Sequence, residues 1–437
     1  KAIQLHAQDL AANDKSHSGL LAYVGATFSD LTSGDSQTTT SSGNHFIEIC
    51  SLVGNEAVQS VAGRIRALQP LILANDIYKR LVAAQAFGIL GANKATSSST
   101  LRDMISSFHM KLKSWKVAVG AEINQIHGSM NALAFFYSRA IQDDTNSSAY
   151  SDGYLSMLKS VLEILEESTD KTLQEGAYTS LEQLGLFSII RPSQLPSPHQ
   201  STIMVDKLHI PAKKGNESAI RALSRFGMAC DETQEDGSLL DKIRDQIYEL
   251  HELRQLEVQF VVGEGLSCLA AGWESKSLLA AQDIQGTLPK NGYRKSTLTT
   301  TIDKILKDCR GTKPSLRKAS IVWLLCLTQY CGHLEPIQER LRLLQLTFKS
   351  FLSDRDEVIQ EAASRGLSIV YDISSKDLRD DLVRDLVGSF TGGNANLSGT
   401  ITQESELFEP GALPTGEGSS ITSYKDVSSK SLHSYLC

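Results

Sequence analysis

Over residues 335–372 the apolar positions fall on two helical faces. Ile337, Leu341, Leu344 and Phe348 recur at spacings of four, three and four, the stripe of one helix, which Pro336 would open because a first helical residue has no N–H to lose. The polar run Ser353-Asp354-Arg355-Asp356 interrupts the stripe and offers side-chain oxygens able to cap a second helix. Val358, Ala362, Gly366 and Ile369 form the apolar face of that second helix. Its small residues Ala362, Ala363 and Gly366 predict close approach of the pair, a helical hairpin.

The second-helix pattern, an aliphatic residue followed four later by a small or apolar one, recurs upstream. Stripes start at Val82, Ile126, Leu173, Ile220, Val258, Leu316 and Val358, with successive separations of 44, 47, 47, 38, 58 and 42 residues. Most lie near the ~40–47 residues of HEAT or armadillo repeats, and the longest step contains the polar stretch 285–296. Gly265-Leu266-Ser267 and Gly366-Leu367-Ser368 match literally in this register, and first helices are predicted at 154–167 and 239–250. An amphipathic helix pair cannot bury its face alone, so the pairs must stack. The expectation is an all-α protein, an α-solenoid of HEAT-like helix pairs over residues 1–390; an irregular all-helical domain is the competing architecture. Polar stretches at 32–44, 94–100 and 191–215, the last with Pro192, Pro196, Pro198 and Pro211, read as loop insertions. A Gly/Pro-rich linker follows at 391–427, then an irregular or truncated end at 428–437.

Composition narrows the class. Only 10 prolines in 437 residues suit a helical chain, and 41% hydrophobic with 21% charged residues suits a folded one. A net charge of −7 argues against a global footprint for nucleic acid or anionic membrane, and the longest apolar run, 321–327, is far too short to span a bilayer. The expectation is a soluble protein with no nucleic-acid partner and no direct membrane insertion. Seven irregularly spaced cysteines read as reduced thiols of a cytoplasmic and nuclear protein, which deprives the sequons at Asn146, Asn216 and Asn396 of meaning. The start at Lys1, without Met or signal pattern, reads as the start of an internal piece.

Catalytic and metal motifs fail one by one. Gly416-Glu417-Gly418-Ser419-Ser420 lacks the lysine of a phosphate loop and puts a carboxylate where the anion would sit. His251-Glu252 has no second histidine one turn on, and Cys326, Cys331 and His333 lack a fourth ligand, so the cysteines read as buried small hydrophobes. No Gly-x-Ser-x-Gly elbow occurs. The pairs Glu166-Glu167 and Asp380-Asp381 read as solvated charge, and Lys111, Lys113 and Lys116 around Leu112 and Trp115 as the exposed face of an amphipathic helix rather than a nucleic-acid or acidic-partner patch. No catalytic, cofactor-binding or metal-ligating residue is assigned, and no cofactor is expected.

Two strings are specific in a way packing does not require. Phe351-Leu352-Ser353-Asp354-Arg355-Asp356-Glu357-Val358, continuing through Gln360-Glu361-Ala362-Ala363 to Leu367, resembles a HEAT repeat of the large proteasome-associated adaptor and scaffold family. Ser405-Glu406-Leu407-Phe408-Glu409-Pro410-Gly411-Ala412-Leu413-Pro414 and the following Ser423-Tyr424-Lys425-Asp426-Val427 resemble the linker between two of its repeats, in fungal members above all. The resemblance is strong over 335–427. It implies a non-enzymatic adaptor that binds the proteasome core particle and the ATPase ring of the regulatory particle, tethers the two, and acts in assembly quality control and ATPase restraint. It transfers no contact residue. A HEAT-repeat nuclear transport receptor or phosphatase-type scaffold is the alternative. A truncated solenoid exposes an apolar stacking face, so self-association of the isolated chain is a further expectation.

Overall fold

The computed structural model describes residues 18–33, 38–53, 55–141, 147–192, 195, 198–230, 234–281 and 293–390. The expected linker, the chain end and the string 405–427 lie outside the described residues. The described residues form helices and turns, without strands. They fall into two units, Lys1–Leu298 and Thr299–Cys437.

The first unit contains α1 (Ser18–Thr32), α2 (Thr39–Val53), α3 (Asn55–Val61), α4 (Ile77–Gly91), α5 (Ser98–Lys113), α6 (Ala121–Ala140), α7 (Ser147–Glu167), α8 (Lys171–Leu186), α9 (Pro198–Ala212), α10 (Glu217–Met228), α11 (Gln234–Glu249) and α12 (Leu256–Ala271). From α4 onward the even-numbered helices pack on one another in order and make one row; α5, α7, α9 and α11 make a second row. Each second-row helix also packs on the helix that follows it, so α5–α6, α7–α8, α9–α10 and α11–α12 are the repeating pairs. This is the HEAT-like solenoid arrangement. The stripes read at Val82, Ile126, Leu173, Ile220 and Val258 lie on α4, α6, α8, α10 and α12, so the period in the sequence is the period of the first row.

That row is enclosed: α6 is buried without a break from Ile126 to Ala140, its His127, Ser129, Asn131, Ser138 and Arg139 along with the apolar positions. Backbones in the row come unusually close. A Cβ on Gly88 of α4 would stand 2.6 Å from the Phe135 carbonyl oxygen of α6, and one on Gly185 of α8 would stand 2.8 Å from the Arg225 carbonyl carbon of α10. N-caps set the entry points: Asp76 accepts from the Tyr78 and Lys79 amides, Asp170 from Leu173 and Asn216 from Ala219.

Helix α13 (Lys295–Asp308) spans the division between the units. The second unit continues with α14 (Pro314–Cys331), α15 (Leu341–Phe351), α16 (Glu357–Ile373) and α17 (Lys376–Phe390); α14 and α15 both pack on α16, and α17 packs on its far end of sequence. Leu316 and Val358 lie on α14 and α16. Asp356 caps α16 through the Val358 amide, and a Cβ on Gly366 would overlap the Phe348 ring, as the small-residue face predicts.

Three expectations need correction. Residues 191–215 are not one loop: Pro198–Ala212 is α9, with Met204, Val205, Leu208 and Ala212 buried at helical spacing. Pro198 sits at the helix start, where proline is tolerated, and Pro211 sits in the last turn. The stretch 32–44 yields to α2 from Thr39, and 94–100 to α5 from Ser98. The stripe from Ile337 to Phe348 is two helices, a single turn Glu335–Gln338 and then α15, separated at Arg340. Arg340 leaves helical geometry there while its guanidinium forks onto Asp303 at 2.7 and 3.0 Å.

Candidate interaction surfaces

The residues examined for chemistry are placed where they do structural duty. Cys326 and Cys331 are buried on α14 while His333 is exposed beyond it, and no group of three metal-ligating side chains occurs among the described residues. His251, its side chain largely buried, sits 3.9 Å from the exposed Glu252 carboxylate in a single helical turn. Glu167 pairs with Lys116 at 2.8 Å, Glu166 accepts from Gln200 at 3.2 Å, and Asp381 pairs with Arg342 and Arg384. The basic stretch is split: Leu112 is buried, Lys111 reaches Gln125 at 2.7 Å, and Lys116 lies over the Trp115 ring.

Between the rows and repeats runs a polar lattice that sequence reading did not anticipate. Arg80 of α4 donates through Nε to His127 Nδ1 at 3.1 Å and through Nη1 to the Ala74 and Asn75 carbonyls at 2.9 and 2.7 Å. Asn131 lies 3.4 Å from the same imidazole, and Ser180 of α8 donates to Asn131 at 3.2 Å, so one buried chain of contacts joins α4, α6 and α8. One step on, Arg225 of α10 meets Glu182 of α8 at 2.6 Å. Burial pushes the Glu182 carboxyl above its usual range despite the opposing pull of Arg225. In the second unit, Asp354 and Asp356 receive Arg317 and Lys318 of α14; burial alone would raise the Asp356 pKa, but Lys318 and the Val358 amide hold it below the usual carboxylate range.

Arg294 closes the first unit. Buried, it donates to the Leu269 carbonyl at 2.8 Å, to Met228 at 3.0 Å, to Gly227 at 3.2 Å and to Cys230, the carbonyls at the C-terminal ends of α10 and α12. A cation is favoured at helix C-termini, where carbonyl dipoles point outward. Arg294→Met should leave these carbonyls without donors and lower stability by about 3 kcal/mol. Thermal unfolding followed by circular dichroism checks this, and an unchanged melting temperature would refute the strut.

Among the described residues no active-site constellation emerges, and the turns that lead into successive first-row helices line up along one edge. No family model matches the chain. Among curated proteins it is 42% identical over 195 residues to the Proteasome component ECM29 of Saccharomyces cerevisiae, covering 42% of this chain and 10% of that protein. It is 27% identical over 366 residues to the Proteasome adapter and scaffold protein ECM29 of Homo sapiens, covering 76% and 19%. The Drosophila melanogaster Proteasome-associated protein ECM29 homolog is 34% identical over 129 residues, 29% of this chain and 7% of that one. The chain thus spans about a tenth to a fifth of the length of the first two relatives. Among solved structures, Kap121p bound to Nup53p aligns over 88% of this chain and 41% of its own at 13% identity and TM-score 0.39. An engineered protein aligns over 85% of both chains at 16% identity and TM-score 0.35.

Proposed function

From the premise that this chain is a piece of the proteasome-associated adapter and scaffold family, we propose that it belongs to a non-enzymatic scaffold that binds the proteasome. The observation that carries this reading is the 42% identity over 195 residues to a protein named as a proteasome component, supported by a second relative named as an adapter and scaffold. The finer reading is that the scaffold tethers the core particle to the ATPase ring of the regulatory particle, restrains the ATPases of faulty assemblies, and works in cytoplasm and nucleus. Stacked helix pairs suit such a role on physical grounds. Each added pair extends the surface without changing the core, so separate repeats can engage separate bodies.

The test is retention of purified proteasome by the tagged chain at low and moderate salt, followed by crosslinking mass spectrometry. Crosslinks to both the core particle and the ATPase ring are expected. Crosslinks to one body alone would sink the tethering role for these repeats, and failure of both this chain and a longer piece to retain proteasome would sink the scaffold reading itself.

A further inference from the structure

A small pocket in the second unit is walled by cations. It lies among the α13–α14 turn, the start of α14 and the end of α15, has a volume of about 260 Å³, and is lined by Cys309, Arg310, Arg317, Ser350, Phe351 and Leu346, with no carboxylate. Arg317 is held in place there. Its guanidinium lies 4.9 Å from the centre of the Phe351 ring and engages Asp354 through Nη2, which leaves Nε and Nη1 without partners among the described residues. Arg310 is exposed, and its guanidinium has no ion pair or hydrogen bond among the described residues. Both positive charges pull on the Cys309 thiol, which sets them around one spot; burial nevertheless pushes that thiol up to about 12, so it is wall and not nucleophile. Ser350 Oγ donates to the Thr347 carbonyl at 2.7 Å and, being only half-buried, can turn toward a stronger acceptor.

The surroundings stay positive with every neighbouring carboxylate counted at full charge. From Cys309 to Leu334 the chain has no acidic residue and carries four cations, Arg310, Lys313, Arg317 and Lys318. Across from them the α15–α16 turn brings Asp354 and Asp356, each in an ion pair, with Arg317 and Lys318. Asp308 is offset by the adjacent Lys307, and Glu357 by Arg355. An excess of two positive charges remains on a chain whose net charge is −7. The larger groove of the first unit, about 680 Å³, has no such excess, because Glu166, Glu167 and Glu175 line it against Lys171, Lys207 and Lys214.

We propose that this pocket binds a phosphorylated serine on a segment of a partner protein. A phosphate monoester brings about −1.5 to −2 charges and three strong acceptor oxygens at neutral pH, which suits two guanidinium groups better than a single carboxylate does. Arg310 supplies a free planar fork for bidentate contact, Arg317 adds its remaining N–H groups from a plane fixed against Phe351, and Ser350 adds a hydroxyl. Leu346, 49% exposed, offers an apolar contact to the residue that flanks the phosphoserine. A recess of this size takes one side chain and not a flat bilayer. The partner is defined here by chemistry alone, independently of the proteasome reading, and either can fail without the other.

The probe is a fluorescein-labelled heptapeptide with a central phosphoserine between leucines, titrated with the full chain by fluorescence anisotropy at physiological ionic strength. Serine and glutamate versions of the peptide, inorganic phosphate as competitor and phosphatidylserine vesicles serve as comparisons. Saturable binding is expected, weakened at least about tenfold in the serine and glutamate peptides and in Arg310→Gln, and partly regained in Arg310→Lys, which keeps the charge but not the fork. Lys113→Gln, which removes an exposed cation of the first unit, should bind as the unsubstituted chain does. Arg310 and Lys113 are both exposed, so circular dichroism should show all three variants folded. The proposal is overturned by absent saturable binding, by equal binding of the serine or glutamate peptide, by undiminished binding in Arg310→Gln, by an equal loss in Lys113→Gln, by inorganic phosphate that competes as well as the phosphopeptide, or by capture of the vesicles in place of the peptide.

Discussion

Gly88→Val and Gly185→Val should each destabilise the first unit by more than about 3 kcal/mol, a cost at the upper end of what overpacking a core produces. The reason is what the new side chain would strike. At Gly88 the obstacles are the Phe135 carbonyl carbon and oxygen at 2.7 and 2.6 Å, and at Gly185 they are the Arg225 carbonyl carbon and Phe226 nitrogen at 2.8 and 2.9 Å. A flexible side chain could swing aside; a helix backbone moves only by lifting the whole helix from its neighbour. Widening one such contact separates α4 from α6, or α8 from α10, and opens apolar surface along the full length of both helices. Gly25→Ala in α1 is the control, since its Cβ meets nothing within 4 Å, and it should raise stability by about 0.5–1 kcal/mol through helix propensity alone. Thermal unfolding of the three variants decides the matter. Valine variants that melt with the unsubstituted chain would mean that the first row is not packed at this separation.

The first row was legible in the sequence because burial leaves a periodic trace. Val82, Ile126, Leu173, Ile220 and Val258 each mark a helix enclosed by others, and enclosure demands apolar residues whatever the loops do. The second row is wetter and its traces are weaker, and at α9 the four prolines of 191–215 outweighed the apolar spacing of Met204, Leu208 and Ala212. The buried polar lattice left no trace at all. Arg80 and His127 are 47 positions apart, and most of what Arg80 and Arg294 hold is backbone carbonyl, which every residue carries. The α5–α6 turn is half visible in the sequence: Lys113 and Trp115 mark a basic, aromatic stretch, but the solvent exposure of Val117 and Val119 is a property of the turn that only the fold displays. The string that carried the family resemblance most specifically, 405–427, lies outside the described residues, so its role came from sequence alone.

Acid should loosen the first unit well before most carboxylates titrate. His127 has no solvent exposure, and burial first, then the adjacent Arg80 guanidinium, lowers its pKa from about 6.5 to about 3. Its Nδ1 accepts from Arg80 Nε, a role that only the neutral ring can fill. The folded pKa lies below the unfolded one, so between pH 6.5 and pH 3 the unfolded chain binds the extra proton. Stability is therefore full above the unfolded value and drains as pH falls, by about 2 kcal/mol between pH 7 and pH 5 from this residue. His109 and His209, whose pKa values are also lowered by burial, drain it in the same direction, whereas Glu182, raised by burial, works in the opposite one. His127→Gln isolates the term, because the amide oxygen can still accept from Arg80 but does not titrate. The variant should be weaker than the unsubstituted chain at pH 7 by about 1–2 kcal/mol and should lose about 2 kcal/mol less on going to pH 5. Arg80→Met is the harsher change. It strips the donors from His127 and from the Ala74 and Asn75 carbonyls at once, and should cost about 3 kcal/mol at neutral pH while relieving part of the pressure that keeps the imidazole neutral. Urea titrations of the three proteins at pH 7 and pH 5 give all the differences. Equal pH dependence in the unsubstituted chain and His127→Gln would show that the buried imidazole is not the acid-sensitive joint between α4 and α6.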